Sequence, residues 1–444
     1  LRCPARRSAR PVLCRLRGQE APHPMTTHPT RPDKPRIIAI AIQTPELSDS
    51  ELDDSLDELA ELVRTAGGIV VGRVVQKRAR IDRSSYFGTG KMKEVAELIE
   101  LTGAVQVIAD DELTALQVRR LEEGIGCEVL DRTGIILNIF SAHASTREGK
   151  LQVELAAVQY MLLRLVGGYA GLSRQRGGIG LKGPGETKLE ADRRVLKTRL
   201  KRLGDELDKV VQDRDVQRRK RTDRFAPLFA LVGYTNAGKS TLLNALSGAN
   251  VQVCDGLFTT LDPTARRVEL PGGRWAILSD TVGFIRKLPH GLVRAFRATL
   301  ESVRHSQVLI HVCDVSSVQA REHIAAVEQV LQEMNLESPD RIIVFNKIDR
   351  GVPHNREALE TLFPGAIFVS ARTGENLDAL RQRMAEKMAV SFQTVEIELP
   401  VSAPELKEIR LLGRILQEEW GDGTVRLTAE LPRTYLPRLG LLPE

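Results

Sequence analysis

Gly233-Tyr-Thr-Asn-Ala-Gly-Lys239-Ser240 follows an apolar run, Leu228 to Val232, and leads into a helix-period segment, Thr241 to Leu246. The spacing is G-x-x-x-x-G-K-[ST], and the flanks are those of a strand and a helix, the context a phosphate-cradling loop requires. The glycines let the backbone turn so that successive NH groups and the helix N-terminus face an anion. Lys239 would reach the outer phosphates and the Ser240 hydroxyl would hold magnesium. Gly233, Tyr234, Thr235, Asn236, Ala237, Gly238, Lys239, Ser240 and Thr241 are therefore expected at a nucleotide, on an α/β scaffold whose strands end at the site.

Working outward, Asp280-Thr281-Val282-Gly283 follows the run Trp275 to Ser279 and puts a carboxylate at a strand end, where it can hold magnesium through water. Gly283 can offer its NH to a γ phosphate. Asn346-Lys347-Ile348-Asp349 ends the strand-like run Ile342 to Phe345, and this motif decides the base. A carboxylate at Asp349 accepts from the N1-H and the 2-amino group of guanine, whereas adenine offers an acceptor at N1 and no 2-amino group. An unpaired buried polar group costs roughly 1 to 3 kcal/mol, so GTP is preferred over ATP. Ser370-Ala371-Arg372, after Ala366 to Val369, completes the base pocket, with the Ala371 NH directed at the guanine oxygen.

The chain has 444 residues, 42% hydrophobic and 27% charged, which implies several domains with ordinary cores. No segment is long and apolar enough to span a membrane; the best stretch, Leu155 to Leu172, is broken by Gln159, Arg164 and three glycines. Cys3, Cys14, Cys127, Cys254 and Cys313 lie singly, which suggests neither disulfides nor structural zinc and fits a reducing compartment. Of the net charge of +6, residues 1 to 24 carry most, with six arginines against Glu20. Residues 1–34 are expected as a disordered basic tail or upstream extension, with an Arg-rich transit peptide the alternative.

Alternating β-branched runs and helix-period segments predict a small, mainly parallel α/β domain over residues 35–140. Residues 141–225 read as a helical hairpin, Thr146 to Val166 and Glu186 to Arg221, around a loop with eight glycines between Gly167 and Gly185. Residues 226–390 form the second α/β domain. Residues 391–444 read as a small α+β end domain, with alternation at Val395, Ile397 and Leu399 and one helical piece over Glu405 to Glu419.

With these motifs in order, the chain resembles the translational, Obg/HflX-like class of P-loop GTPases and, within it, the HflX family. The likeness covers nearly everything from Pro35 onward: Leu130-Asp-Arg-Thr133, Arg147-Glu-Gly-Lys-Leu-Gln-Val-Glu154, Gly177-Gly-Ile-Gly180, Gly183-Pro-Gly-Glu-Thr187, Leu189-Glu190, Asp192-Arg-Arg194, Leu261-Asp-Pro263 and Asp280-Thr-Val-Gly-Phe-Ile-Arg286. The resemblance implies a nucleotide-associated N-terminal domain, a helical linker, a Ras-like GTPase domain and a cytoplasmic monomer. It also implies a partner, the large ribosomal subunit with its rRNA, which the protein would split or rescue under stress. In Phe258-Thr259-Thr260 it assigns the switch threonine to Thr260, with Thr259 the alternative, so that Ser240, Thr260 and Asp280 are the expected magnesium residues and Lys239, Thr260 and Gly283 the catalytic ones. Asn236 matches the asparagine with which related GTPases ligate potassium; stimulation by potassium is left open. Phe284 stands where many Ras-like enzymes have a water-orienting glutamine. It is either packed or the mark of low intrinsic hydrolysis that the ribosome relieves.

Arg193 to Arg224 holds thirteen Lys or Arg against six acids, and the adjacent Gly-rich loop adds Arg174, Arg176 and Lys182 with no acid. A solvated helix face would look similar, but basic residues beside glycines suit the phosphates of a large RNA. Tyr86-Phe-Gly-Thr-Gly-Lys91 leads into a helix and reads as an anion site or as a turn with a cap. Two rival functions stay open: an ATP-driven RNA-remodelling protein working through the N-terminal domain, and an RNA-binding regulator with incidental hydrolysis.

The base assignment is tested by Asp349→Asn, whose amide pairs with xanthine in place of guanine. GTP affinity should fall by about 2 kcal/mol or more in calorimetry as the charge-assisted contact is lost; unchanged GTP binding would sink the guanine assignment.

Overall fold

The computed structural model describes residues 34–82, 84–167, 184–220, 226–248, 256–258, 264–287, 301–333, 336, 340–352 and 356–441. Its first sheet has the order β2-β1-β3-β4, from β1 (Arg36–Gln43), β2 (Ile69–Lys77), β3 (Gln106–Ala109) and β4 (Glu128–Asp131), all parallel. Seven of the eight residues of β1 are buried, as a central parallel strand requires. Its two side-chain faces enter different cores. Ile37, Ala39 and Ala41 join the core that holds the helices α1 (Asp49–Thr65) and α4 (Arg132–His143), and Ile38, Ile40 and Ile42 join the one that holds α2 (Thr89–Thr102) and α3 (Ala115–Ile125). A capping box between Ser48 and Glu51 starts α1, and Leu52, Leu56, Leu59 and Leu62 form its buried stripe.

Helix α4 carries no helical periodicity in the sequence, because Ile135, Ile136, Leu137, Ile139 and Phe140 are all buried. Asp131 caps it, accepting from the Gly134 NH at 2.9 Å and from the Tyr160 hydroxyl at 2.6 Å. From there α5 (Arg147–Gly167) and α6 (Pro184–Lys220) lie against each other through Leu151, Val158 and Leu203. Arg199 pairs with Glu154 at 2.6 Å across this seam.

The second sheet has the order β10-β9-β8-β5-β7-β6. It comprises β5 (Leu228–Gly233), β6 (Ala265–Leu270), β7 (Arg274–Ser279), β8 (Val308–Asp314), β9 (Arg341–Asn346) and β10 (Ile367–Phe368), with only the β6–β7 pair antiparallel. β5 is central, with β6 and β7 on one side of it and β8 to β10 on the other, so its C-terminal end is where an open α/β sheet has its crevice. Helix α7 (Lys239–Ser247) starts at that end.

A third sheet, β11-β13-β12, consists of β11 (Phe392–Pro400), β12 (Arg414–Trp420) and β13 (Thr424–Pro432), all antiparallel. The segment expected as one helix over Glu405 to Glu419 is divided: the helix spans Glu405–Leu412 and Arg414 begins β12. Gly413 is extended, and a Cβ there would meet the Leu431 side chain and lie 2.7 Å from the Glu430 carbonyl. Its closeness to β13 ends the helix. Trp275 Nε1 donates to Leu411 O at 2.8 Å and joins this sheet to β7.

The first two sheets meet at a buried charge cluster. Arg132, 1% exposed, pairs with Asp110 at 2.6 Å and with Glu58, and Glu58 also accepts from the Tyr234 hydroxyl. Burial pulls the Arg132 guanidinium down to about 10. Lys287 closes the group, meeting Asp110 at 2.6 Å and Asp111 at 2.8 Å. Asp110 is held by Arg132, Lys287 and the Ser55 hydroxyl. Removing the guanidinium with Arg132→Ala leaves Glu58 without its cation and Asp110 with Lys287 alone, and should cost about 3 to 5 kcal/mol in urea unfolding. Arg199→Ala, in an exposed pair, should cost no more than about 1 kcal/mol. Equal effects would show that the Arg132 cluster is not buried as described.

Candidate functional site

A cleft opens at the C-terminal end of β5, and most of the residues expected at a nucleotide line it. At one end are Thr235, Asn236, Gly238, Lys239, Ser240 and Thr241 of the loop and helix start, with Thr281, Gly283 and Phe258 across from them. At the other end are Asn346, Lys347, Asp349, Ala371 and Arg372. Thr259, Thr260 and the run Leu261 to Pro263 lie outside the described residues.

The loop's conformation explains its glycines. Gly233 and Gly238 take φ of 154° and 90°, and Asn236 takes 59°. A Cβ on Gly233 would run into the Val312 carbonyl of β8, and one on Gly238 into Asn346 Nδ2, so the strand and the base loop close in where side chains would stand. Lys239 is buried, its ammonium donating to the carbonyls of Tyr234 at 2.9 Å and Gly233 at 3.1 Å. Burial lowers it to about 8, against the attraction of Asp280. An ammonium held by two neutral carbonyls keeps its positive charge for a polyanion.

Ser240 Oγ lies 2.5 Å from Asp280 Oδ2, so a hydroxyl and a carboxylate converge where hard-cation donors were expected. Thr281 is turned the other way, its hydroxyl donating to Leu231 O at 2.6 Å. Gly283 sits so close to the loop that a Cβ would lie 2.8 Å from Thr235 Cα.

Asn346 joins the two ends. It is 2% exposed, its Nδ2 donates to Ala237 O at 2.9 Å, and its Oδ1 accepts from the Ala371 NH at 3.0 Å. Ser370 donates to Asp349 Oδ1 at 2.7 Å, which holds the Asp349 carboxyl below the usual carboxylate range and keeps it an acceptor at neutral pH. Lys347, with φ of 67°, meets Asp314 Oδ2 at 2.7 Å.

Some expected residues sit behind the cleft. The Tyr234 ring stacks on His323 at 3.9 Å, and its hydroxyl serves Glu58 and the Arg286 NH. Val282 is buried in apolar packing, and Ile348 packs beside Phe345. Phe284 is 2% exposed in the core shared by the first two sheets. Its NH donates to Gly233 O at 3.1 Å, and its carbonyl accepts from the Thr235 NH at 2.7 Å. The sequence reading missed Gly256 and Arg350, which also line the cleft, and Asp314. An acid at the end of a buried strand was the available signal for Asp314; Gly256 and Arg350 carry none. In the segment Tyr86 to Lys91, the Gly88 NH goes to Gln76 at 3.1 Å and Lys91 is held by Glu94 at 2.8 Å, which favours a turn with a cap over an anion site.

Three family models match successive parts of the chain: GTP-binding GTPase N-terminal over residues 53–141, GTP-binding GTPase middle region over 143–221, and 50S ribosome-binding GTPase over 228–347. The GTPase HflX of Caldanaerobacter subterraneus is 44% identical over 412 residues, 92% of this chain and 93% of its own. The GTPase HflX of Escherichia coli is 41% identical over 389 residues, 86% of this chain and 91% of its own. Among solved structures, a GTP-binding protein from Sulfolobus solfataricus in complex with GDP is similar over 79% of this chain and 98% of that one, at 24% identity and a TM-score of 0.40.

The lowered Lys239 gives a pH signature. Phosphates favour the charged ammonium, whereas the empty site releases its proton above about pH 8. GDP binding should therefore take up a proton and weaken by up to about tenfold per pH unit above that point. Calorimetry in buffers of different ionisation enthalpy reads both effects; affinity flat from pH 7 to 9 would mean that the Lys239 ammonium is not lowered in the empty site.

Proposed function

The chain belongs to the HflX family of GTPases, P-loop enzymes that bind and hydrolyse GTP, and on that premise we propose that it does so in a magnesium-dependent cycle on the large ribosomal subunit. The observation that carries the reading of the site is the Asn346 crosslink, which holds a phosphate loop and a guanine-type pocket at the two ends of one cleft. Lys239 and the loop's NH groups neutralise the phosphates, and the Gly283 NH reads the γ phosphate. Asp349 and the Ala371 NH read the base. Ser240 and Asp280 supply the oxygen donors that a magnesium ion prefers, with Thr260 as the switch ligand that the family resemblance assigns. Held by Ser240, Thr260 and Asp280, a magnesium ion would supply positive charge against the negative charge of the phosphates. Asn236, exposed at the rim of the loop, is the side chain for a potassium ion. Gly283 leads directly into Phe284, whose ring cannot orient water, so turnover of the free protein is slow and the ribosome supplies the missing order.

The binding arm is the hairpin within residues 141–225, between a domain over 35–140 and the GTPase domain over 226–390, followed by a small end domain over 391–444. Arg193, Arg194, Lys197 and Lys201 are exposed along α6. Phosphate contacts from such a face give strong, salt-sensitive binding with little sequence preference, as a large rRNA surface requires. The GTP form of this monomer, in the cytoplasm, would engage the large subunit and part it from the small one, and hydrolysis would release it.

The hairpin tip, Arg174, Arg176 and Lys182, lies outside the described residues. Replacing all three with Ala should weaken co-sedimentation with purified large subunits and flatten its salt dependence by roughly one unit of slope per lost contact. Nucleotide affinity should stay as in the wild type. A variant that sediments with subunits as well as the wild type at every salt concentration would return the hairpin to a solvated linker.

A further inference from the structure

Thr235 lines the cleft between Gly283 and Lys239, and none of the roles above uses its side chain. It is 6% exposed. Its NH is engaged by the Phe284 carbonyl at 2.7 Å, but its hydroxyl is sealed from water and has no hydrogen-bond partner among the described residues. A buried hydroxyl left in that state is a cost that the folded protein carries until a partner arrives. Where a Cβ on Gly283 would stand, the Thr235 methyl Cγ2 is 2.8 Å away and the Lys239 ammonium 3.0 Å away. The hydroxyl is therefore one torsion from the point on which the lysine and the Gly283 backbone converge, since rotation about Cα–Cβ exchanges the positions of methyl and hydroxyl.

We propose that the Thr235 hydroxyl is a further ligand of the γ-phosphoryl group, donating a hydrogen bond to one of its non-bridging oxygens. The inference rests on the GTP reading of this cleft and deepens it by naming a side chain that distinguishes the triphosphate from the diphosphate. A neutral donor gains most from an anionic acceptor. GDP places no acceptor there, so the hydroxyl stays unpaired in the GDP and empty states and is satisfied only with GTP. The β-branched shape serves the same end. The methyl packs against Gly283 while the hydroxyl waits, which a serine would do less well and a glycine not at all.

Thr235→Val keeps the shape and removes the donor; Thr235→Ser keeps the donor and removes the methyl. Calorimetry on the full chain would compare GDP with a non-hydrolysable GTP analogue for both variants and the wild type. The valine variant should lose on the order of tenfold in affinity for the analogue, with GDP affinity within about twofold of wild type, and the serine variant should keep the wild-type ratio. Thr235→Ala, which also lacks the donor, should reproduce the valine result and serves in its place if the valine variant does not fold. An unchanged ratio in the donor-free variants, or equal weakening of both nucleotides, overturns the proposal. Failure of the wild type to bind GDP would instead sink the reading of the cleft itself.

Discussion

The Asn346 side chain is the constraint on which the site depends. It sits at the end of β9, bonds with its nitrogen to the Ala237 carbonyl and with its oxygen to the Ala371 NH, and has almost no exposure. A buried amide is stable there only because both halves are satisfied. That requirement fixes three loops at once: the phosphate loop, the loop after β9 with Asp349, and the loop after β10 with Ser370 and Ala371. It also explains why position 238 is glycine, since the Asn346 nitrogen occupies the space of its Cβ. The two ends of the cleft are thus tied through one side chain.

Its opposite wall is tied elsewhere. Phe284 exchanges backbone hydrogen bonds with Gly233 and Thr235, its ring is buried among residues of both large sheets, and Lys287 reaches Asp110 and Asp111 beyond them. Phe258, on the other side of the cleft, packs edge-on against Phe140 of α4 at 4.8 Å. The two segments that border the phosphate end are therefore held by the N-terminal sheet and its helices as well as by the nucleotide sheet. Any displacement of Gly283 toward a γ phosphate must carry Phe284 with it and strain a close-packed contact.

The fold around Gly233 to Ser240 was legible because glycine spacing, an apolar strand and a helix start agree there, and each has a physical cause the structure displays. The same holds for β1, whose unbroken apolar run marks a strand covered on both faces. Other features could not be read. Helix α4 is buried without a break from Arg132 to Leu137, which erases the period that would reveal it. The residues from Glu405 to Trp420 carry helix-compatible composition, and only the approach of β13 to Gly413 splits them. Tyr234 belongs to the phosphate-loop motif by position, yet its ring turns toward Glu58 and His323, a choice set by a partner 176 residues away in sequence. Long-range partners of this kind, like Asp110 for Lys287, leave no local mark.

In the proposed function, Phe284 stands where water would be oriented and the large ribosomal subunit would supply the order that the free GTPase lacks. Single-turnover GTP hydrolysis by the full chain, with and without saturating purified large ribosomal subunits, tests it most directly. The account predicts slow hydrolysis alone and an acceleration on the order of a hundredfold with subunits, about 2.7 kcal/mol of barrier. Hydrolysis by the free protein as fast as in the presence of subunits would contradict it.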